Sequence, residues 1–301
     1  MPTAPAVEVH HLRKHYGPKH AIEDVSFTIT QGETFALLGP NGAGKSTTVE
    51  ILEGYRDRTA GEVSVLGQDP QHANRELKQR IGIVLQTATD AGNFTVIEQL
   101  RHFAKLYPNS KDPDQVLDAV GLTQQASQRI SRLSGGQRRR VDVALGVIGN
   151  PEVLFLDEPT TGFDPEARRQ FWDLIKQQQA DGTTVLLTTH YLDEAAHLAD
   201  RAAVIANGRV LAEGTTAELG GAEARTPIVR WTDGRDQNGG PTQREERATD
   251  PARLVARLQA ELGTVHDLEV IRPSLEDVYL DLIKQSQTTP SQTTPIQEQT
   301  A

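Results

Sequence analysis

Residues Thr34–Thr47 read TFALLGPNGAGKST. The first five are apolar or β-prone and lack polar alternation, the pattern of a strand buried on both faces. From Gly39 the chain matches G-x-x-x-x-G-K-[ST] and then enters a helical pattern, the strand–loop–helix context that such a loop needs to bind phosphate. Gly39, Pro40, Asn41, Gly42, Ala43 and Gly44 let backbone amides wrap a β-phosphate with few side chains in the way. Lys45 would reach the β- and γ-phosphates. The Ser46 hydroxyl would ligate Mg²⁺, with Thr47 beside it, and the helix start adds a favourable dipole.

The rest of an α/β domain can be read outward from this loop. VEV (7–9) and DVSFTI (24–29) read as strands before it. VLFL (153–156), VLL (185–187) and AVI (203–205) are short apolar runs bounded by breakers. Helical patterns lie between them, so the expected sheet is mainly parallel. In TVIEQLRHFAKLY (95–107), Val96, Leu100, Phe103 and Tyr107 share a face, and Thr95 with Glu98 makes a capping box. Val141, Ala144, Leu145 and Ile148 keep helical spacing until Asn150-Pro151. The strand VLFL ends in Asp157, a carboxylate that can hold magnesium through water. Glu158 follows and can orient and deprotonate an attacking water. His190, just past the strand VLL, can touch a γ-phosphate. The other histidines, at 10, 11, 15, 20, 72, 102, 197 and 266, lack metal-ligand spacing with carboxylates and are assigned to surface or packing.

After Gly208–Thr215 the pattern changes. PIVRW (227–231) reads as a strand, and TDGRDQNGGPTQREERATD (232–250) as a polar mobile loop. Asp250-Pro251 opens a helix with Leu254, Val255, Leu258 and Leu262, and Gly263 ends it. VHDLEVI (265–271) is a strand candidate, and Ser274 with Asp277 opens a last helix. The expected division is 1–214 for the main domain, 215–285 for a small α+β extension, and 286–301 for a disordered tail containing SQTTP twice.

Composition limits the function. The chain has 301 residues and no cysteine, which removes disulfides, thiolate metal sites and cysteine nucleophiles. A net charge of −10 argues against broad nucleic-acid binding, and none is expected. No run approaches a membrane span and the N-terminus has no apolar signal, so a cytoplasmic chain is expected.

A second glycine-rich stretch, LSGGQRRR, occupies Leu133–Arg140. With Gly39–Thr47, Gln86 in GIVLQ, VLFLDE at 153–158, TGFDP at 161–165 and His190, it completes a set in which the chain resembles the ATP-binding subunit of an ABC transporter. The resemblance spans residues 7 to about 213, with a family-like extension to 285. It implies a P-loop NTPase cassette: a mainly parallel sheet, N-terminal antiparallel strands and a helical subdomain. It further implies that two chains pair head to tail, so that Ser134, Gly135, Gly136 and Gln137 serve the ATP held by the partner. Gln86 would watch magnesium and the attacking water and lead into the segment that meets the membrane partner. Asp164 would couple the two sites, with Phe163 where leucine is usual. Tyr16 matches the aromatic that stacks on adenine; a core tyrosine is the competing reading. Arg138, Arg139 and Arg140 are then expected to form mostly a solvated helix face.

LSGGQRRRVDVALGVIGNPEVLFLDEPTTGFDP, THYLDEAAHLADR and PSLEDVYLDL resemble the exporter ATPases of the daunorubicin-resistance type, whose permease is a separate polypeptide. The expected location is thus the cytoplasmic face of the membrane, through that permease. Two alternatives stand beside this exporter ATPase. One is an ABC ATPase without a transporter, such as a cluster-assembly subunit; the other is a module that holds ATP without turnover. Intact Lys45, Glu158 and His190 speak against the latter.

Overall fold

The computed structural model describes residues 5–85, 93–235 and 241–288. The chain divides into two compact units, Met1–Leu219 and Gly220–Ala301. In the first, the elements run β1 (Pro5–Tyr16), β2 (Lys19–Thr30), β3 (Thr34–Leu38), α1 (Lys45–Leu52), β4 (Ala60–Val65), α2 (Arg75–Arg80) and β5 (Ile81–Val84). Then follow α3 (Val96–Ala104), α4 (Pro113–Ala119), α5 (Gly135–Val147), β6 (Val153–Asp157), α6 (Pro165–Ala180), β7 (Thr184–Thr188), α7 (Leu192–Leu198), β8 (Arg201–Ala206) and β9 (Arg209–Thr215).

Among the described residues, one nine-stranded sheet has the order β4-β1-β2-β9-β8-β3-β7-β6-β5. From β8 to β5 all neighbours are parallel. Every residue of β3 and β7 is buried, which explains their unbroken apolar reading. At the other edge, β1 pairs antiparallel with β2 and β4, and β8 with β9. The β1–β2 ladder continues through polar residues to Tyr16↔Lys19, far beyond the apolar runs that mark the two strands in sequence. Gly82 in β5 lies so close to α5 that a Cβ there would be 2.2 Å from the Gly146 carbonyl oxygen.

The helix starts follow local chemistry. Thr95 and Glu98 form the expected capping box, and Asp164 caps α6 by accepting from the Ala167 amide at 2.8 Å. Tyr107 falls beyond the end of α3 and is half-buried.

The second unit holds α8 (Gly221–Ala224), β10 (Ile228–Arg235), β11 (Pro241–Arg247), α9 (Pro251–Leu262), β12 (His266–Ile271) and α10 (Leu275–Thr288). Its antiparallel sheet has the order β11-β10-β12. The 232–250 segment is therefore not one long loop: residues 241–247 are a strand paired with β10. The low apolar content misleads because cross-strand charge pairs supply contacts, Arg244 to Asp233 at 2.7 Å and Arg230 to Glu245 at 3.4 Å. Val229 and Trp231 pack with Leu254 and Leu258 of α9. Asp250 caps α9 and Gly263 ends it. The last helix runs past Gln285 to Thr288, while 289–301, with most of the tail, lie outside the described residues.

Candidate active site

Strand β3 delivers the chain to Gly39, where a Cβ would stand 2.2 Å from the Ile205 carbonyl oxygen. At Gly44, φ is 106° and a Cβ would be 2.7 Å from the Ala21 carbonyl oxygen. Only glycine allows both approaches. The loop then turns into α1, whose N-terminus has no side-chain cap, leaving its amides to face a ligand. Lys45 is buried, and its Nζ donates to the carbonyl oxygens of Gly39 at 2.8 Å and Pro40 at 3.2 Å. Burial pushes its pKa below the ordinary lysine value, and the Glu158 and Asp157 carboxylates oppose that shift. A desolvated cation held by two neutral carbonyls gains from an incoming polyanion.

A cavity of about 570 Å³ opens over this loop. Asn41, Gly42, Gly44, Lys45, Ser46 and Thr47 line it, together with Tyr16, Glu158 and His190. The fold thus brings together residues that span 174 positions of sequence, from Tyr16 to His190. His190 Nδ1 is 3.3 Å from Glu158 Oε2. Glu158 has φ 46°, a strained backbone for a side-chain-bearing residue, and its amide donates to the Thr188 carbonyl at 3.0 Å. Tyr16 is 40% exposed, so it is not a core tyrosine. Lys14 Nζ and the Arg56 guanidinium lie 5.0 and 5.5 Å from its ring centre.

Gly39, Pro40 and Ala43 shape the loop from outside the lining. Asp157 lies one residue behind Glu158 and accepts a hydrogen bond from the Thr188 hydroxyl. Ser134, Gly135, Gly136 and Gln137 are not among the lining residues: they form the entrance to α5. There Ser134 Oγ accepts from the Gln137 amide at 3.2 Å, and Gln137 Oε1 accepts from the Ser134 amide at 3.0 Å. Asp164 is the cap of α6, and Phe163 is buried edge-on against Phe171, ring centres 6.0 Å apart. Gln86 lies outside the described residues.

The reading of the three arginines needs correction. Arg138 is exposed, but Arg139 is only 6% exposed and Arg140 is half-buried. Arg139 Nε donates to the Pro159 carbonyl at 2.9 Å, and Nη2 to those of Asp157 and Glu158 at 2.8 and 3.0 Å. Its Nη1 donates to the Leu85 carbonyl. The helix that begins with the second glycine pair is thereby pinned to the backbone of the two acidic residues. Burial pushes this guanidinium below its ordinary pKa, and Asp142, Asp157, Glu158 and Glu194 oppose the shift. Sequence reasoning also missed Glu53, a buried carboxyl at the end of α1. Burial, with the nearby Asp157 and Glu50 charges, pushes its pKa up to about 8. No local pattern marks either residue, because both depend on elements distant in sequence.

The chain is 35% identical to Nod factor export ATP-binding protein I of Burkholderia lata, over 94% of this chain and 98% of that protein. It belongs to the ABC transporter family. The family model described as ABC transporter matches residues 22–161. The daunorubicin/doxorubicin resistance ATP-binding protein of Streptomyces peucetius is 36% identical, with 92% of each chain covered. Among solved structures, a dimeric ATP-binding cassette in a post-hydrolysis state, bound to ADP and Pi, superposes with a TM-score of 0.62 at 25% identity. It covers 69% of this chain and 98% of that one. The chain is thus an ATP-hydrolysing cassette of a family whose members form dimers and work with a membrane permease. No described helix is long and apolar enough to cross a membrane.

Proposed function

We propose that this chain is the ATPase subunit of an exporter, driving a separate permease by ATP-dependent pairing of two cassettes. The observation that carries the reading is the convergence of the phosphate loop, Glu158, His190 and Tyr16 on one cavity. Exporter function is supported by relatives named for export or drug resistance that match nearly the full length, C-terminal extension included. A cluster-assembly ATPase is disfavoured for the same reason.

In this reading Lys45 exchanges the Gly39 and Pro40 carbonyls for the β- and γ-phosphates, and Tyr16 stacks on adenine. Glu158 accepts the proton of the attacking water, and His190, beside it, contacts the γ-phosphate. The donor set suits Mg²⁺, a hard cation that prefers oxygen: Ser46 lines the cavity and its hydroxyl, with Asp157 and Gln86, would hold the ion. When bound, Mg²⁺ neutralises charge on the phosphates. Ser134, Gly135, Gly136 and Gln137 serve the nucleotide of the second copy, and Asp164 links the two sites. The permease docks on an apolar groove of about 490 Å³ lined by Tyr55, Ile83, Leu85, Phe103 and Tyr107. That contact holds the chain at the cytoplasmic face of the membrane. Residues 215–285 act as an accessory domain.

The test mixes two inactive variants, Lys45→Ala and Gly135→Asp. An added Cβ at Gly135 meets nothing within 4 Å, so the fold should tolerate the change. The carboxylate would then face a γ-phosphate across the dimer, where like charges repel at short range. Gly135→Asp alone should bind ATP but not pair. The mixture should form ATP-dependent heterodimers, because one of its two sites carries neither defect. Loss of ATP binding by isolated Gly135→Asp would show that α5 serves its own chain's nucleotide.

A further inference from the structure

We propose that His15, His20 and Glu23 bind a divalent transition metal of the zinc class. The β1–β2 register sets His15 opposite His20. Their rings stack with centres 3.9 Å apart and planes 10° from parallel. His20 Nδ1 lies 2.6 Å from Glu23 Oε1. One ligand atom from each of the three residues falls within 4.8 Å of the others. His15 Nε2 is buried and has no hydrogen-bond partner among the described residues. A buried imidazole nitrogen without a partner, facing no competing use, is poorly explained by packing alone.

Two imidazoles and a carboxylate, with water in the fourth position, are a donor set that zinc takes readily. Bonds of about 2.1 Å at tetrahedral angles place donors about 3.4 Å apart. The widest donor separation therefore needs to close by at most about 1.4 Å and the His20–Glu23 pair to open by about 0.8 Å, which the exposed His20 ring can supply by turning out of its stack on His15. The metal takes the lone pair of a neutral imidazole nitrogen, and the ring keeps its one proton on the other nitrogen. Imidazole ligands disfavour Mg²⁺, so the Mg²⁺ that accompanies ATP does not compete for this position. Among the described residues, the His11 ring pairs with Asp24 and the His72 ring with Asp69, each a single imidazole with one carboxylate. The metal would tie β1 to β2 just before the turn that carries Tyr16 and Lys19, both of which line the large cavity.

Sequence spacing hides the site: His15 and His20 are five residues apart, and only the hairpin register makes them neighbours. The test is Zn²⁺ titration of the full chain, untagged and nucleotide-free, by calorimetry, with Co²⁺ as a visible-absorption probe. One Zn²⁺ should bind per chain and raise the melting temperature. Loss of partners that merely orient a metal-bound histidine weakens affinity 10- to 100-fold, so His20→Ala and Glu23→Gln should each weaken it by about tenfold or more. His11→Ala should bind as the unmodified chain does. Absence of saturable binding, or equal affinity in His20→Ala, or equal weakening by His11→Ala, would overturn the proposal.

Discussion

Replacing Arg139 tests whether the start of α5 holds the acidic strand end in place. In Arg139→Ala, the carbonyls of Leu85, Asp157, Glu158 and Pro159 lose a charged donor. Each such bond contributes about 1.5 kcal/mol at the low end for a charged donor, a gross loss of about 6 kcal/mol. Removing the guanidinium also removes the desolvation cost of a buried charge, which is several kcal/mol, so the net destabilisation should be about 2–4 kcal/mol. The catalytic effect should be larger than the effect on binding. Among the described residues its guanidinium hydrogen bonds go to Leu85, Asp157, Glu158 and Pro159 rather than to the phosphate loop, so it fixes the backbone of Asp157 and Glu158. A displacement of about 1 Å at Glu158 costs roughly 100-fold in kcat. The assays are urea unfolding, fluorescent ATP-analogue binding, and steady-state phosphate release. Arg139→Lys, with one compact ammonium in place of a planar fork, should recover only part of the loss. An Arg139→Ala protein with unchanged unfolding midpoint and kcat within about twofold of the parent would refute the reasoning, given the roughly 100-fold loss it requires.

Glu53 should make stability depend on pH. Its carboxyl pKa rises from 4.5 to about 8 on folding, so the folded chain keeps a proton that the unfolded chain releases. Stability should therefore fall as pH rises from about 4.5 to about 8, with a ceiling near ~5 kcal/mol from 1.36 kcal/mol per unit. Glu53→Gln should flatten that slope in denaturant titrations at several pH values, and an unchanged slope would remove Glu53 as its source. Gly82→Ala should strain the packing of β5 on α5, because the new Cβ meets a backbone oxygen rather than a yielding side chain. A cost of about 1–3 kcal/mol would lower the melting temperature by roughly 2–10 °C, readable by calorimetry.

How far the site could be read from sequence depended on the range of the interaction. Gly39–Thr47 was legible because strand, loop and helix are contiguous, and the backbone demands at Gly39 and Gly44 leave a direct mark on residue choice. Asp157, Glu158 and His190 could be located because each closes a buried strand, and parallel strands end at the same edge of the sheet. The capping residues Thr95, Asp164 and Asp250 were similarly local. Segment 241–247 was misread because its partner strand, not its own apolar content, makes it a strand.

Sequence alone therefore determined the α/β class, the phosphate loop and the order of the acidic and histidine positions, since these follow from backbone geometry and short-range periodicity. Tertiary structure alone decided that Arg139 is buried under Asp157, Glu158 and Pro159 rather than solvated. It also decided that burial raises the Glu53 pKa, and that His15, His20 and Glu23 meet. The reason is desolvation and register. A guanidinium or carboxyl carries the same charge in any sequence context, and only the surrounding fold sets how much water it loses and which partner replaces that water.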